Sequence, residues 1–201
     1  MTVHQWMTAN VVSVSEQASI QEALKIMKRH SIRHLPVVDS KLNLTGWITD
    51  ADLRGVLIAS MLEDLTVQDV MVRKPYTTFP EMSLEEAARL ILRKKIGGLP
   101  VVEDGKLVGV ITVVDILSAF INLMGMLGHS SRLDVRPSSS NPLDKITRLI
   151  QRHQAEIISI CHLIGVGEQT PMYSFRLKKC DLEPILADFQ ELGIEVVSAV
   201  A

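Results

Sequence analysis

The chain repeats itself. Slid along itself so that Met7 meets Met71, it brings Ser19 onto Ser83, Glu22-Ala23 onto Glu86-Ala87, Arg29 onto Arg93 and Ile32 onto Ile96. Leu35-Pro36-Val37-Val38 then meets Leu99-Pro100-Val101-Val102. After one residue is lost in a turn, Gly46, Ile48, Thr49 and Asp52 meet Gly109, Ile111, Thr112 and Asp115. A match kept in register over a whole unit means two copies of one supersecondary block, each completing its core against the other.

Each copy predicts β-α-β-β-α. A short extended segment (Val11 to Val14; Tyr76 to Phe79) leads to a helix with Ser19 or Ser83 as N-cap and Glu22 or Glu86 closing a capping box. Ile20, Ala23, Leu24 and Met27, like Leu84, Ala87, Ala88 and Ile91, recur at helical spacing and form one buried face. Two short β-branched runs follow, joined in the second copy by Asp104-Gly105, a hairpin signal. The closing helices are expected from about Asp52 to Leu62 and from about Asp115 to Leu127. Leu123, Met124, Met126 and Leu127 read as a packed helix end or a dimer contact.

A Thr and, three residues later, an Asp stand where each second strand turns into its helix: Thr49 and Asp52, Thr112 and Asp115. The first N–H groups of a helix are unpaired and favour anions, and a carboxylate accepts hydroxyl donors, which suits a phosphorylated sugar. A carboxylate in the first turn also favours the helix dipole with no ligand at all.

From Gly128 the composition changes. Serines flank a candidate strand, Arg132 to Arg136, and Asn141 as N-cap with Pro142 at the first helical position opens a helix. Leu143, Ile146, Leu149 and Ile150 give it one apolar face. Strands are expected at Ile157 to Leu163, Met172 to Leu177 and Val196 to Val200, with a Gly-rich connection between the first two. The second helix, Leu182 to Leu192, is capped by Asp181 and stopped by Gly193. The order β-α-β-β-α-β predicts a ferredoxin-like split βαβ fold.

Composition narrows the function classes. The net charge of -2 marks no nucleic-acid surface. With 47% hydrophobic and 22% charged residues the chain has material for a globular core. The longest apolar run, Ile116 to Gly128, is too short to span a bilayer. No basic, apolar leader opens the chain, so a cytoplasmic protein without a membrane partner is expected. Cys161 and Cys180 form no CxxC pair, and His162 beside Cys161 points to the opposite face of a strand, so no metal site is expected. His153 and His129 have no partner at ligand spacing. No nucleophile-plus-base motif or phosphate-binding loop appears, so no catalytic residue is named.

The repeated unit closely resembles the CBS domain, and the tandem resembles a CBS pair (Bateman module). The carriers are Met7-Thr8, the run Ile32 to Asp39 and the two Gly-x-Ile-Thr-x-x-Asp signatures. The tail resembles an ACT domain, mainly in element order; Asn141-Pro142-Leu143 stands where ACT domains usually carry a Gly. The whole is similar to the acetoin-utilisation regulatory family. An α/β (α+β) chain is therefore expected: CBS repeats at 1–65 and 66–128, an ACT-like domain at 129–201.

The resemblance implies a non-enzymatic sensor for adenosine-containing effectors (AMP, ADP, ATP, S-adenosylmethionine or NAD), with no required cofactor. It implies a homodimer and a regulated enzyme partner. By resemblance Asp52 and Asp115 bond ribose hydroxyls, and Thr49 and Thr112 reach ribose or phosphate. The cleft of Asp115 takes the backbone around Asn10 to Val12 for adenine and His34, with Arg33 beside it, for phosphate. The cleft of Asp52 takes Tyr76 and, opposite His34, only Gly98. Pro36 and Pro100 are also counted among the nucleotide-binding residues. Asp50 is expected to add negative charge beside the Asp52 cleft, leaving the Asp115 cleft to bind phosphorylated ligands more tightly. The alternative is an enzyme or accessory subunit acting on a bound nucleotide or in acetoin or acyl metabolism.

Overall fold

A computed structural model describes residues 1–56, 64–163 and 171–201. The expected helix beyond Val56 and the Gly-rich connection after Leu163 fall outside the described residues. The chain divides into two compact units, Met1–Leu117 and Ser118–Ala201.

In the first unit, α1 (Ile20–His30) and α4 (Leu84–Lys94) begin as the sequence predicts. Ser19 Oγ accepts the Glu22 N–H at 3.1 Å and Ser83 Oγ the Glu86 N–H at 3.2 Å. Each helix buries its expected stripe: Ile20, Ala23 and Met27 in one, Leu84, Ala87 and Ile91 in the other. Hairpins follow, β1 (His34–Val38) with β2 (Leu44–Thr49) and β3 (Gly98–Glu103) with β4 (Lys106–Thr112). Asp104 and Gly105 both take positive φ, 49° and 78°, as a two-residue turn matching strand twist demands. The longer first turn is closed instead by Asp39, whose Oδ1 accepts the Lys41 and Asn43 N–H groups at 2.8 and 2.9 Å.

The extended segments before α1 and α4 are reduced to single parallel bridges, Val14 with Val37 and Thr78 with Val101. The two copies also exchange their openings. Thr8 bridges Val110 and Val72 bridges Trp47. Met7 packs on Gly109 and Met71 on Gly46, so closely that a Cβ at either glycine would strike the sulfur. Val67 and Met71 accordingly complete the core of Ile20, Met27, Leu35, Ile48 and Leu53. The short helices α2 (Asp50–Gly55) and α3 (Val67–Val70) and the longer α5 (Val113–Leu123) start at Thr-x-x-Asp or adjacent turns.

α5 starts two residues earlier than expected and ends four earlier. Gly125, at φ 69°, reverses the chain and lets the Met126 N–H reach the Ile121 carbonyl at 3.0 Å. A Cβ there would also meet Ile158 Cγ2. Leu123, Met126 and Leu127 are exposed rather than packed.

The second unit carries β5 (Ser130–Arg136), α6 (Leu143–Arg152), β6 (Ile157–Leu163), β7 (Met172–Lys178), α7 (Glu183–Glu191) and β8 (Glu195–Val200). Its sheet has the order β6-β7-β5-β8, every pair antiparallel. Leu133, Val135, Phe175 and Leu177 point from β5 and β7 into a core shared with Ile146 and Ile150 of α6 and Ile185 and Phe189 of α7. Asn141 is not the cap of α6; Pro142 is. Asn141 is buried, its amide donating to the Leu192 carbonyl at 2.8 Å and its Oδ1 accepting from Lys145 Nζ at 2.9 Å. A side chain that can satisfy another helix's terminal carbonyl is worth more there than at an exposed cap. Leu182 caps α7, and Asp181 Oδ1 accepts the Glu183 N–H at 3.0 Å.

Candidate functional site

Both Thr-x-x-Asp signatures form closed capping boxes. Thr49 donates its N–H (2.9 Å) and its hydroxyl (2.6 Å) to Asp52 Oδ2, and the Asp52 N–H returns to Thr49 Oγ1 at 3.3 Å. Thr112 and Asp115 repeat this at 2.7, 2.7 and 3.4 Å. Each threonine hydroxyl is thus spent as a donor on its aspartate. In each carboxylate Oδ2 is occupied, and Oδ1 has no protein donor among the described residues. The local motif is not sufficient for a site: Thr66 and Asp69 make the same box, with both donors at 2.8 Å, on the exposed surface.

What distinguishes Asp115 is its surroundings. A cavity of about 910 Å³ lies in the first unit, with Thr112 and Asp115 at the start of α5 in its wall. Asn10 and Val12 line it from the segment before α1, and Arg33, His34 and Pro36 from the start of β1. Asn10, Val12, Arg33 and His34 are the residues that the resemblance sets around Asp115. Thr49 lines it too, whereas Asp52, Tyr76, Gly98 and Pro100 do not. Tyr76 is half exposed, with the Lys94 ammonium 4.5 Å from its ring centre. Gly98 is buried in β3, where a Cβ would stand 2.9 Å from the Ile111 carbonyl oxygen.

Asp50 is on the other side from the one expected. It lines the same cavity as Asp115, with Ala51 beside it. The cause is a backbone link present in both copies: the Asp50 N–H donates to the Arg33 carbonyl and the Val113 N–H to the Gly97 carbonyl, each at 3.0 Å. The first residue of each helix is thereby held against the start of the first hairpin strand, while the third folds back on its threonine. The repeat pairing of residues 33 with 97 and 50 with 113 is the signal that could have placed Asp50, Gly97 and Val113 in the wall.

His34 is only partly exposed, stacked on Trp47 with centroids 5.6 Å apart. Its Nε2 occupies the space where a Cβ of Gly97 would be. Burial, then the Arg33 guanidinium, hold its pKa below the ordinary histidine value against a smaller pull from Asp52. The neutral form of the ring is thus favoured in the wall where the resemblance implies a phosphate contact. Cys161 and His162 lie at neighbouring positions of β6, the latter stacked on Tyr173 at 4.7 Å. Among the described residues no cluster of His, Cys, Asp or Glu could hold a metal ion, and no helix is long and apolar enough to cross a membrane.

Two copies of one hairpin-and-helix unit, opened by the exchanged segments Met7-Thr8 and Met71-Val72 around a shared cavity, define a CBS pair. The sequence matches the CBS domain family over residues 3–59 and 67–122. The chain belongs to that family. It is 37% identical over 108 residues to an inosine-5'-monophosphate dehydrogenase of Korarchaeum cryptofilum, a match covering 53% of this chain and 22% of that enzyme. Among solved structures it is similar to CBSX2 in complex with AMP (TM-score 0.56, 32% identity, 60% of this chain and 96% of that one). It is similar to the CBS pair of protein MJ0100 in complex with 5'-methylthioadenosine and S-adenosyl-L-methionine (TM-score 0.57, 30% identity, 61% and 97%). It is also similar to AcuB of Vibrio cholerae, named for acetoin utilization (TM-score 0.58, 30% identity, 63% and 95%).

Proposed function

We propose that this chain is a non-enzymatic sensor that binds an adenosine-containing small molecule in the cavity of Asp115. The observation that carries the reading is the half-used carboxylate. Asp115 is fixed through Oδ2 by its capping box and leaves Oδ1 for a hydroxyl donor in the cavity wall. A ribose supplies two such donors, and a charge-assisted hydrogen bond is worth about 1.5–3 kcal/mol. The AMP and S-adenosyl-L-methionine bound by CBSX2 and MJ0100 support the same ligand class.

In this reading the second unit is an ACT-like, ferredoxin-like module for dimerisation or a second effector. Homodimerisation also uses the apolar stripe of α5, where Val114, Leu117 and Leu123 are more than half exposed. The output is a change in dimer geometry read by a regulated enzyme in the cytoplasm. Thermal unfolding with AMP, ATP, NAD, adenosine, S-adenosylmethionine and 5'-methylthioadenosine tests it. A one-site ligand at 100 times its dissociation constant adds about 2.7 kcal/mol. Stabilisation by at least one compound, lost in Asp115→Ala, is expected. No shift with any of them ends the reading.

A further inference from the structure

The wall of the cavity carries charges that bear on which adenosyl ligand it takes, an argument that rests on the binding reading above. Phosphate groups seek free backbone N–H donors at helix starts and unpaired cations. Here those donors are largely spent. The Val113 N–H goes to the Gly97 carbonyl, the Asp115 N–H to Thr112 Oγ1, and the Asp50 N–H to the Arg33 carbonyl. His34 stands neutral near pH 7 because it is desolvated and beside Arg33. Arg33 is then the one full cation among the described lining residues, against the carboxylates of Asp50 and Asp115. Arg54 Nε holds Asp50 Oδ2 at 2.6 Å, but its own side chain is 70% exposed. Such a solvated pair neutralises little of the charge felt in the cavity.

We infer that the cavity selects adenosyl ligands by charge, accepting a neutral or cationic 5' substituent such as a thioether or sulfonium and disfavouring a 5'-phosphate. Asp50 is the discriminating residue. In the binding reading above Asp115 is given to the ribose and is held by its donors, which leaves Asp50 as the second carboxylate of the wall to act on the substituent. Carbon–sulfur and sulfonium groups need no hydrogen-bond donor and can lie against the apolar part of the wall, Val12, Ile32 and Val113, which stands among the polar Thr8, Asn10 and Ser31.

The test is calorimetric titration of the full chain with 5'-methylthioadenosine, S-adenosylmethionine, adenosine and AMP at one ionic strength. The thioether and sulfonium compounds are expected to bind at least about tenfold more tightly than AMP, with adenosine between. Asp50→Asn is expected to tighten AMP several-fold and leave 5'-methylthioadenosine nearly unchanged. AMP binding as tightly as 5'-methylthioadenosine in the natural chain overturns charge selection, whatever the variant does. A gap that persists unchanged in a folded Asp50→Asn protein overturns the role of Asp50. Absence of binding by all four compounds removes the adenosyl reading itself, a different outcome from binding without discrimination.

Discussion

The two hairpins of the CBS pair share register, turn position and capping, yet differ where each first strand starts. The first copy has Arg33-His34 and the second Gly97-Gly98. The His34 ring fills the space above Gly97, and Gly98 lies against the Ile111 carbonyl with no room for a Cβ. A side chain in one copy therefore requires its absence in the other. Duplication supplies two equivalent scaffolds, but where they meet the ring of His34 takes the room that a counterpart of Arg33 would need at Gly97, so the cavity they enclose is unequal from the start.

The comparison is broken most severely in the cores. Ile48 and Ile111 are equivalent and fully buried, so Ile48→Ala and Ile111→Ala are each expected to cost about 2–5 kcal/mol. Urea unfolding checks this, and a cost confined to one copy would show that the repeats do not share the load.

Next come the glycines. In Gly98→Ala the new methyl meets backbone, which cannot move aside, and a loss of about 1–3 kcal/mol is expected. In Gly97→Ala it meets the His34 ring, which can swing off Trp47. That variant is expected to lose less, to alter Trp fluorescence, and to be rescued by adding His34→Ala. A double-mutant cycle measures the coupling between the two sites; a coupling of zero would remove the steric account of the asymmetry.

The capping boxes separate folding from binding. Thr112→Ala and Thr66→Ala each remove one cap, at a cost of about 1 kcal/mol. Only Thr112→Ala is expected also to weaken adenosyl ligands, because it frees Asp115 to turn away from the cavity. Equal binding by both variants, measured by calorimetry, would show that the box does not position Asp115.

The smallest effect is on pH. The folded pKa of His34 lies below its unfolded value of about 6.5. The unfolded chain therefore binds the proton more readily between the two values. His34 contributes stability above its unfolded pKa that is lost as pH falls through that window toward the folded pKa. In His34→Gln this contribution is absent, and the difference in melting temperature between the two proteins is expected to shrink as the solution is acidified. A difference that stays constant with pH would contradict the burial of a neutral ring.

Much of the architecture was legible in the residues because its causes are local or periodic. Register, capping serines, the Asp104-Gly105 turn and the stripes of α1 and α4 depend on spacing alone, and so does the element order of the second unit. The Thr-x-x-Asp boxes were legible as helix starts, although the same chemistry at Thr66 shows that the motif does not by itself make a site. Tertiary contacts decided the rest. The exchange of the Met7-Thr8 and Met71-Val72 openings, the transfer of Asn141 from cap to the carbonyl of Leu192, the turn at Gly125 and the placement of Asp50 in the cavity of Asp115 all join residues distant in the chain. Their outcome depends on which donor or volume a neighbouring element leaves unfilled, and no period in the sequence records that. The neutrality of His34 is of the same kind: the residue type is written in the chain, but its proton is governed by burial and by Arg33, which exist only once the fold has formed.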